Sequence, residues 1–174
     1  MASHILILAA GQGTRMRSGR PKVLHRLAGL PLIEHVLRAA SALTPHSTGV
    51  VVGHLADQVR AGLVDHASLR FVLQTEQRGT GHALLQAEPL FGGQRGALVV
   101  LSGDVPLIRP ETLRRLVQTH ERADAALTVL TATLARPYGY GRIVRNDGRL
   151  SRVVEERDAS EAQRQLTEIN SGIY

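Results

Sequence analysis

The chain has 174 residues, 43% of them hydrophobic and 3% aromatic, with a formal charge of +6 and no cysteine. That length supports one sizeable core of Leu, Val, Ile and Ala, and the missing thiols exclude disulfides and thiolate metal sites. The basic residues are scattered from Arg15 to Arg164 without a long run or interleaved aromatics, so nucleic acid is not an expected partner.

The first predicted element is a strand over His4 to Leu8, an apolar run too short and too β-rich for a helix. The apolar stretch Ile5 to Ala10 is too short to span a membrane and has no basic region before it, so no membrane association is expected and the cytoplasm is. The stretch Leu8 to Lys22 follows at the strand's carboxyl end, where open α/β sheets bind ligands. Gly11 and Gly13 let backbone N–H groups approach an anion, and Arg15 and Lys22 bring two cations to the same loop. A glycine-lined turn with fixed positive charge suits a nucleoside triphosphate. Met16 breaks the dinucleotide fingerprint and no Gly-Lys-Ser/Thr occurs, which removes the two best-known phosphate loops. Lys22 is the only lysine among 21 basic residues, a choice that favours a compact ammonium over a planar fork.

Pro31 then opens a helix over 32–40, followed by a strand at Thr48 to Val52, a helix at Leu55 to Leu63 and a strand at Ser68 to Leu73. Strand and helix alternating at these lengths imply right-handed crossovers and a parallel sheet. A polar loop, Gln74 to Gly79, runs into a helix that starts near Thr80 and ends near Pro89. Ala97 to Leu101 is the most continuous β-run and so a central strand, delivering Ser102-Gly103-Asp104 to the same edge. A carboxylate there either holds Mg²⁺ between protein and substrate phosphates or caps the turn before a helix over Pro110 to Ala123. His120 lies at that helix's edge rather than serving as a base. A long β-run, Ala125 to Leu134, completes a Rossmann-like, doubly wound, mostly parallel α/β core over 1–134. The pattern then changes to close-spaced strands: Arg142 to Arg145 and Leu150 to Glu155 flank Asp147-Gly148, a strong hairpin signal, followed by a short helix at 160–165 and the segment Leu166 to Ile173.

The run Leu-Ala-Ala-Gly-x-Gly-Thr-Arg-Met followed by Pro-Lys resembles the signature of sugar-nucleotide pyrophosphorylases. Within that superfamily the chain looks most like the uridylyltransferase domains of bifunctional UDP-N-acetylglucosamine pyrophosphorylase/glucosamine-1-phosphate N-acetyltransferases. The resemblance implies transfer of UMP from UTP to N-acetylglucosamine 1-phosphate with release of pyrophosphate, in the synthesis of cell-wall precursors. It implies that Leu8, Ala9, Ala10, Gly11, Gly13 and Lys22 contact the nucleotide, with Arg15 and Lys22 catalytic. It places Gln74, Gly79 and Thr80 on the uracil, where an amide offers donor and acceptor in one plane to an imide edge. Ser102, Gly103 and Asp104 complete the nucleotide site, Asp104 as the Mg²⁺ ligand and Ser102 where a family member carries an aromatic residue. Residues 135–174 would begin the sugar-binding part, with Gly141, Glu155 and Asn170 on the N-acetylglucosamine.

The resemblance covers the whole chain but not the whole of the family's domain, so the expectation is an incomplete domain with a weakened metal site. The second metal ligand, an Asn, would fall beyond Tyr174, and the trimer-forming, acetylating β-helix of full-length relatives has no hexapeptide counterpart here. Two alternatives stay open: a relative of the same fold using another nucleoside triphosphate, and an inert nucleotide- or nucleic-acid-binding module.

Overall fold

The computed structural model describes residues 3–13 and 16–174. They divide into two compact units, 1–124 and 125–174. The first unit follows strand–helix alternation. β1 (Ser3–Ala9) leads through a 3₁₀ turn at Lys22–Leu24 and a small ribbon, β2 (Arg26–Leu27) with β3 (Leu30–Pro31), into α1 (Leu32–Ser41). Then come β4 (Ser47–Val52), α2 (Ala56–Ala61), β5 (Leu69–Leu73), α3 (Thr80–Gln86), α4 (Glu88–Phe91), β6 (Ala97–Ser102) and α5 (Pro110–Arg122). The four long strands form one sheet in the order β5-β4-β1-β6, and every pairing is parallel.

A parallel sheet covered on both faces needs strands that are apolar at consecutive positions. Ile5, Leu6 and Ile7 in β1, and Val50, Val51 and Val52 in β4, are completely buried. Ala83 of α3 and Ala87 at its carboxyl cap pack with Leu6, Val51 and Ala10, which holds that helix against the sheet. Small side chains on α3 permit this approach. From β1 the chain proceeds outward through β4 to β5, and it then returns to place β6 on the other side of β1. The strand order therefore reverses between β1 and β6, which is the position where open α/β sheets form a crevice.

Three local expectations are corrected. Leu55 does not belong to the helix after β4: it has a left-handed conformation, φ 56°, and the helix begins at Ala56. Pro89 does not end the helix of residues 80–86, because that helix stops at Ala87 and Pro89 sits in the first turn of α4, where its missing N–H leaves no bond unmade. The β-run over 125–134 contributes only β7 (Leu130–Thr133), which pairs in the second unit and not with the first sheet. Its partner is β10 (Glu168–Ile173), with Glu168 opposite Thr133 and Asn170 opposite Thr131.

The second unit is an antiparallel sheet in the order β7-β10-β8-β9, where β8 is Arg142–Asn146 and β9 is Arg149–Val154. The β8–β9 turn has Asp147 at φ 49° and Gly148 at φ 75°, the two positive angles that a tight hairpin requires. α6 (Glu161–Arg164) starts with a capping box in which Ser160 and Gln163 bond each other's backbone N–H. Arg145 clamps Glu168 with two charge-assisted hydrogen bonds of 2.8 and 2.6 Å. Those bonds hold the Glu168 carboxyl at about 2, below its ordinary 4.5. A carboxyl lowered on folding stabilises the native state above its unfolded value, and the stabilisation disappears as pH falls through the folded one. Stability is therefore expected to drop between pH 4.5 and about 2. In acid-unfolding titrations Glu168→Gln should show a shallower slope across that window, and equal slopes for variant and parent would contradict the assignment. No helix among the described residues is long and apolar enough to cross a membrane.

Candidate active site

The carboxyl edge of the first sheet carries a cleft of about 310 Å³. From the end of β1 it is walled by Leu8, Ala9, Ala10, Gly11 and Gly13. From the end of β5 and the start of α3 come Gln74, Gln77, Gly79, Thr80 and Ala83. Ser102 and Asp104, from the end of β6, close the far side together with Lys22 and Val23. The cleft thus spans the point where the strand order reverses. Gly103 does not line it but lies beneath. Its N–H donates to the Leu8 carbonyl at 2.9 Å, and a Cβ there would meet the Leu8 carbonyl oxygen and the Val23 side chain at 3.2 Å each. This close approach fixes the β6 turn against the end of β1.

Lys22 and Asp104 are 82 positions apart in sequence, yet Lys22 Nζ donates to Asp104 Oδ2 at 2.5 Å. Both side chains are about one-third exposed, 35% and 31%, so the pair opens to the cleft. The Lys22 side chain is guided there by Gly13, whose φ of 60° belongs to glycine and whose missing Cβ leaves room for Lys22 Cβ at 3.0 Å. Arg15, the other cation expected in this loop, lies outside the described residues.

Gln74 forms the opposite wall. It is buried, its backbone N–H extends the sheet by donating to the Val52 carbonyl at 2.7 Å, and its side-chain Nε2 lies 3.4 Å from the Gly79 carbonyl and 3.0 Å from His82 Nδ1. Gly79 takes φ 96°, which lets the chain double back so that its carbonyl faces Gln74 before α3 begins. Gln77, His82 and Gly53 belong to no motif in the sequence, yet all three stand at this edge. Gln77 and His82 stand among the polar residues after β5, and Gly53 directly follows the valine run of β4, where a close backbone approach is a standard reason for glycine.

The three residues expected on the sugar lie together in the second unit. A Cβ on Gly141 would meet Glu155 Oε1 at 3.3 Å, and the Asn170 N–H donates to the Gly141 carbonyl at 2.9 Å. Asn170 is held by its own side chain, which donates to Tyr174 Oη at 2.7 Å and accepts from the Gly172 N–H at 3.1 Å. Beside them Arg142 is buried, with only 2% of its surface exposed. It donates to Glu156 Oε2 at 2.8 Å and to the Tyr140 carbonyl. The Gly139 N–H, first, and then Arg142 hold the Glu156 carboxyl below its usual range. This pair is the second unit's internal anchor, since a buried guanidinium requires a partner.

Residues 5–168 match the family model described as the MobA-like NTP transferase domain. The chain belongs to that family. It is 49% identical, over its whole length, to the bifunctional protein GlmU of Streptococcus pyogenes serotype M12 (strain MGAS2096), covering 42% of that protein. It is 50% identical to bifunctional protein GlmU of Streptococcus equi subsp. zooepidemicus, covering 38%. The chain thus spans about two fifths of the length of these relatives. Among solved structures, UDP-glucose pyrophosphorylase complexed with UDP-glucose superposes with a TM-score of 0.77 at 20% identity, covering 99% of this chain and 75% of that one. A putative glucose-1-phosphate thymidylyltransferase from Bacillus anthracis gives 0.72 at 20% identity, with coverage of 99% and 70%. These likenesses show that the NTP transferase fold spans nearly the whole chain.

Proposed function

We propose that the chain carries a uridylyltransferase site that moves UMP from UTP to N-acetylglucosamine 1-phosphate. The observation that carries this reading is one cleft in which a glycine loop, a buried amide and the Lys22–Asp104 pair meet at the sheet's reversal point. A phosphate oxygen of the sugar phosphate attacks the α-phosphorus in line. A new P–O bond forms, the bond to the β-phosphate oxygen breaks, and pyrophosphate leaves with the electron pair. The nucleophile is already an anion, so no base and no covalent intermediate are needed and catalysis is positioning and charge neutralisation. The backbone of Gly11 and Gly13 accommodates the phosphates, and Lys22 neutralises charge near the reacting bond. Arg15 is assigned to the leaving pyrophosphate by family resemblance.

Mg²⁺ fits the donor set. Asp104 is a single carboxylate, about one-third exposed, with one oxygen engaged by Lys22, and among the described residues no cluster of three His, Cys, Asp or Glu could cage a metal. One carboxylate suits an ion that takes its other ligands from substrate phosphates and water. When bound, Mg²⁺ would supply charge neutralisation at the phosphates. In the second unit Gly141, Glu155 and Asn170 offer the hydrogen-bonding groups a polyhydroxylated ring needs. The reading places the chain in the cytoplasm, in the supply of cell-wall precursors.

Calorimetric titration tests it. UTP is expected to bind only with Mg²⁺, UDP-N-acetylglucosamine is expected to compete, and N-acetylglucosamine 1-phosphate is expected to trigger pyrophosphate release. Absence of Mg²⁺-dependent UTP binding, with a salt-steep affinity for DNA or RNA instead, would overturn the proposal in favour of a nucleic-acid-binding module.

A further inference from the structure

We infer that His82 is a positioning residue that sets the base selectivity of the cleft by fixing which end of the Gln74 amide faces the ligand. The inference rests on the uridine reading above and adds to it a residue that touches no substrate. Gln74 lines the cleft and is otherwise buried, so its amide presents a single polar edge there. Which edge is decided from behind. The atom of that amide nearest the Gly79 carbonyl, at 3.4 Å, must be nitrogen, because a backbone carbonyl can only accept. The same nitrogen lies 3.0 Å from His82 Nδ1, which therefore accepts the second hydrogen. Both Nε2 hydrogens are then occupied, and the amide oxygen is the group left for the cleft.

With Nδ1 accepting, the ring proton of His82 sits on Nε2. That nitrogen lies 3.3 Å from Gln86 Nε2, one turn further along α3, and the Gln86 amide accepts from it once turned to present its oxygen. Gly79, Gln74 and His82 thus share one consistent direction of donation, anchored on a backbone carbonyl. Without His82 as acceptor, the long bond to Gly79 is the one described hydrogen bond that opposes rotation of the Gln74 amide. A rotated amide would present N–H to the ligand instead of oxygen.

The distinction matters for base choice. Uracil carries a donor at N3 and cytosine an acceptor, so an amide oxygen aimed at N3 pairs with the first and opposes the second. A site built around a fixed acceptor discriminates strongly because the wrong base leaves buried groups mispaired. An amide free to turn serves both.

The test measures dissociation constants of UTP and CTP, each with Mg²⁺, for the parent chain, His82→Phe and His82→Asn. Phe keeps a flat ring without an acceptor, whereas Asn restores an acceptor near Nδ1. The parent is expected to favour UTP. His82→Phe should reduce the UTP-over-CTP ratio at least tenfold, chiefly by weakening UTP, and His82→Asn should return it to within threefold of the parent. A merely structural role would weaken both nucleotides together and leave the ratio unchanged, which would overturn the inference. Should His82→Phe not fold, His82→Ala at the same partly exposed helical position carries the same expectation. A parent without preference for UTP would sink the uridine reading itself, whereas a selective parent with an equally selective His82→Phe would sink only the role of His82.

Discussion

Replacing Asp104 with asparagine is expected to lower UMP transfer by about 10²–10³-fold, the loss typical when one preorganised charge-stabilising group is removed from a site. Asparagine keeps the shape and removes the negative charge. The consequence reaches Lys22, which is held by Asp104 Oδ2 at 2.5 Å and has no other carboxylate partner among the described ion pairs. Freed from it, the ammonium is no longer fixed relative to the glycine loop, and Mg²⁺-dependent UTP affinity should weaken in the same variant. The fold should not change. Ion pairs about one-third exposed contribute about 0–1 kcal/mol, so the unfolding temperature is expected to remain within about 4 °C of the parent. Lys22→Met should resemble Asp104→Asn, and the double variant should be little worse than either, because groups acting as a unit lose their effect together. Transfer by Asp104→Asn within threefold of the parent would refute the placement of the reaction at this pair.

Much of this site was legible because its parts are local in sequence. The glycine loop, the Gln74 stretch and Ser102-Gly103-Asp104 each directly follow an apolar β-run, and parallel alternation brings such ends to one edge. The hairpin at Asp147-Gly148 was legible for the same reason, since its two positive φ angles are demanded by the turn alone. What escaped the sequence is announced by no residue type or local spacing. Leu55 takes a left-handed conformation, φ 56°, against the preference of a leucine. Residues 125–129 are as β-prone as those that follow, but only Leu130–Thr133 find a ladder partner in β10. Nothing in the local pattern marks Arg142 for burial, and its partner Glu156 stands fourteen positions later. His82 reads as any polar residue at the start of a helix until the Gln74 amide is seen at its Nδ1.

Gly53→Ala is expected to lose stability and nucleotide affinity together, which links the packing of the sheet edge to its chemistry. Gly53 follows β4, between the chain ends of β1 and β5. A Cβ there would lie 2.9 Å from Ala10 Cβ, 3.0 Å from the Ala10 carbonyl oxygen and 3.1 Å from the Gln74 carbonyl oxygen. Two of these three atoms are backbone, held by neighbouring ladders, so no side chain can swing aside to relieve the contact. Overpacking of this kind costs about 1–3 kcal/mol, or roughly 3–10 °C in unfolding temperature for a domain of this size. The relief that remains is to push the Ala10 and Gln74 segments apart. Both line the cleft, on opposite sides, so UTP affinity is expected to fall about tenfold or more even at temperatures where the variant is fully folded. Gly11→Ala provides the contrast. Among the described residues nothing lies within 4 Å of a Cβ at Gly11, so its methyl would project from the cleft wall without meeting them. It should reduce UTP binding with an unchanged unfolding temperature. Thermal unfolding and UTP titration on the two variants separate the causes: a methyl that only blocks the ligand moves one readout, and a methyl that spreads the sheet edge moves both. If Gly53→Ala unfolds and binds like the parent, the three strand ends do not set the width of the cleft.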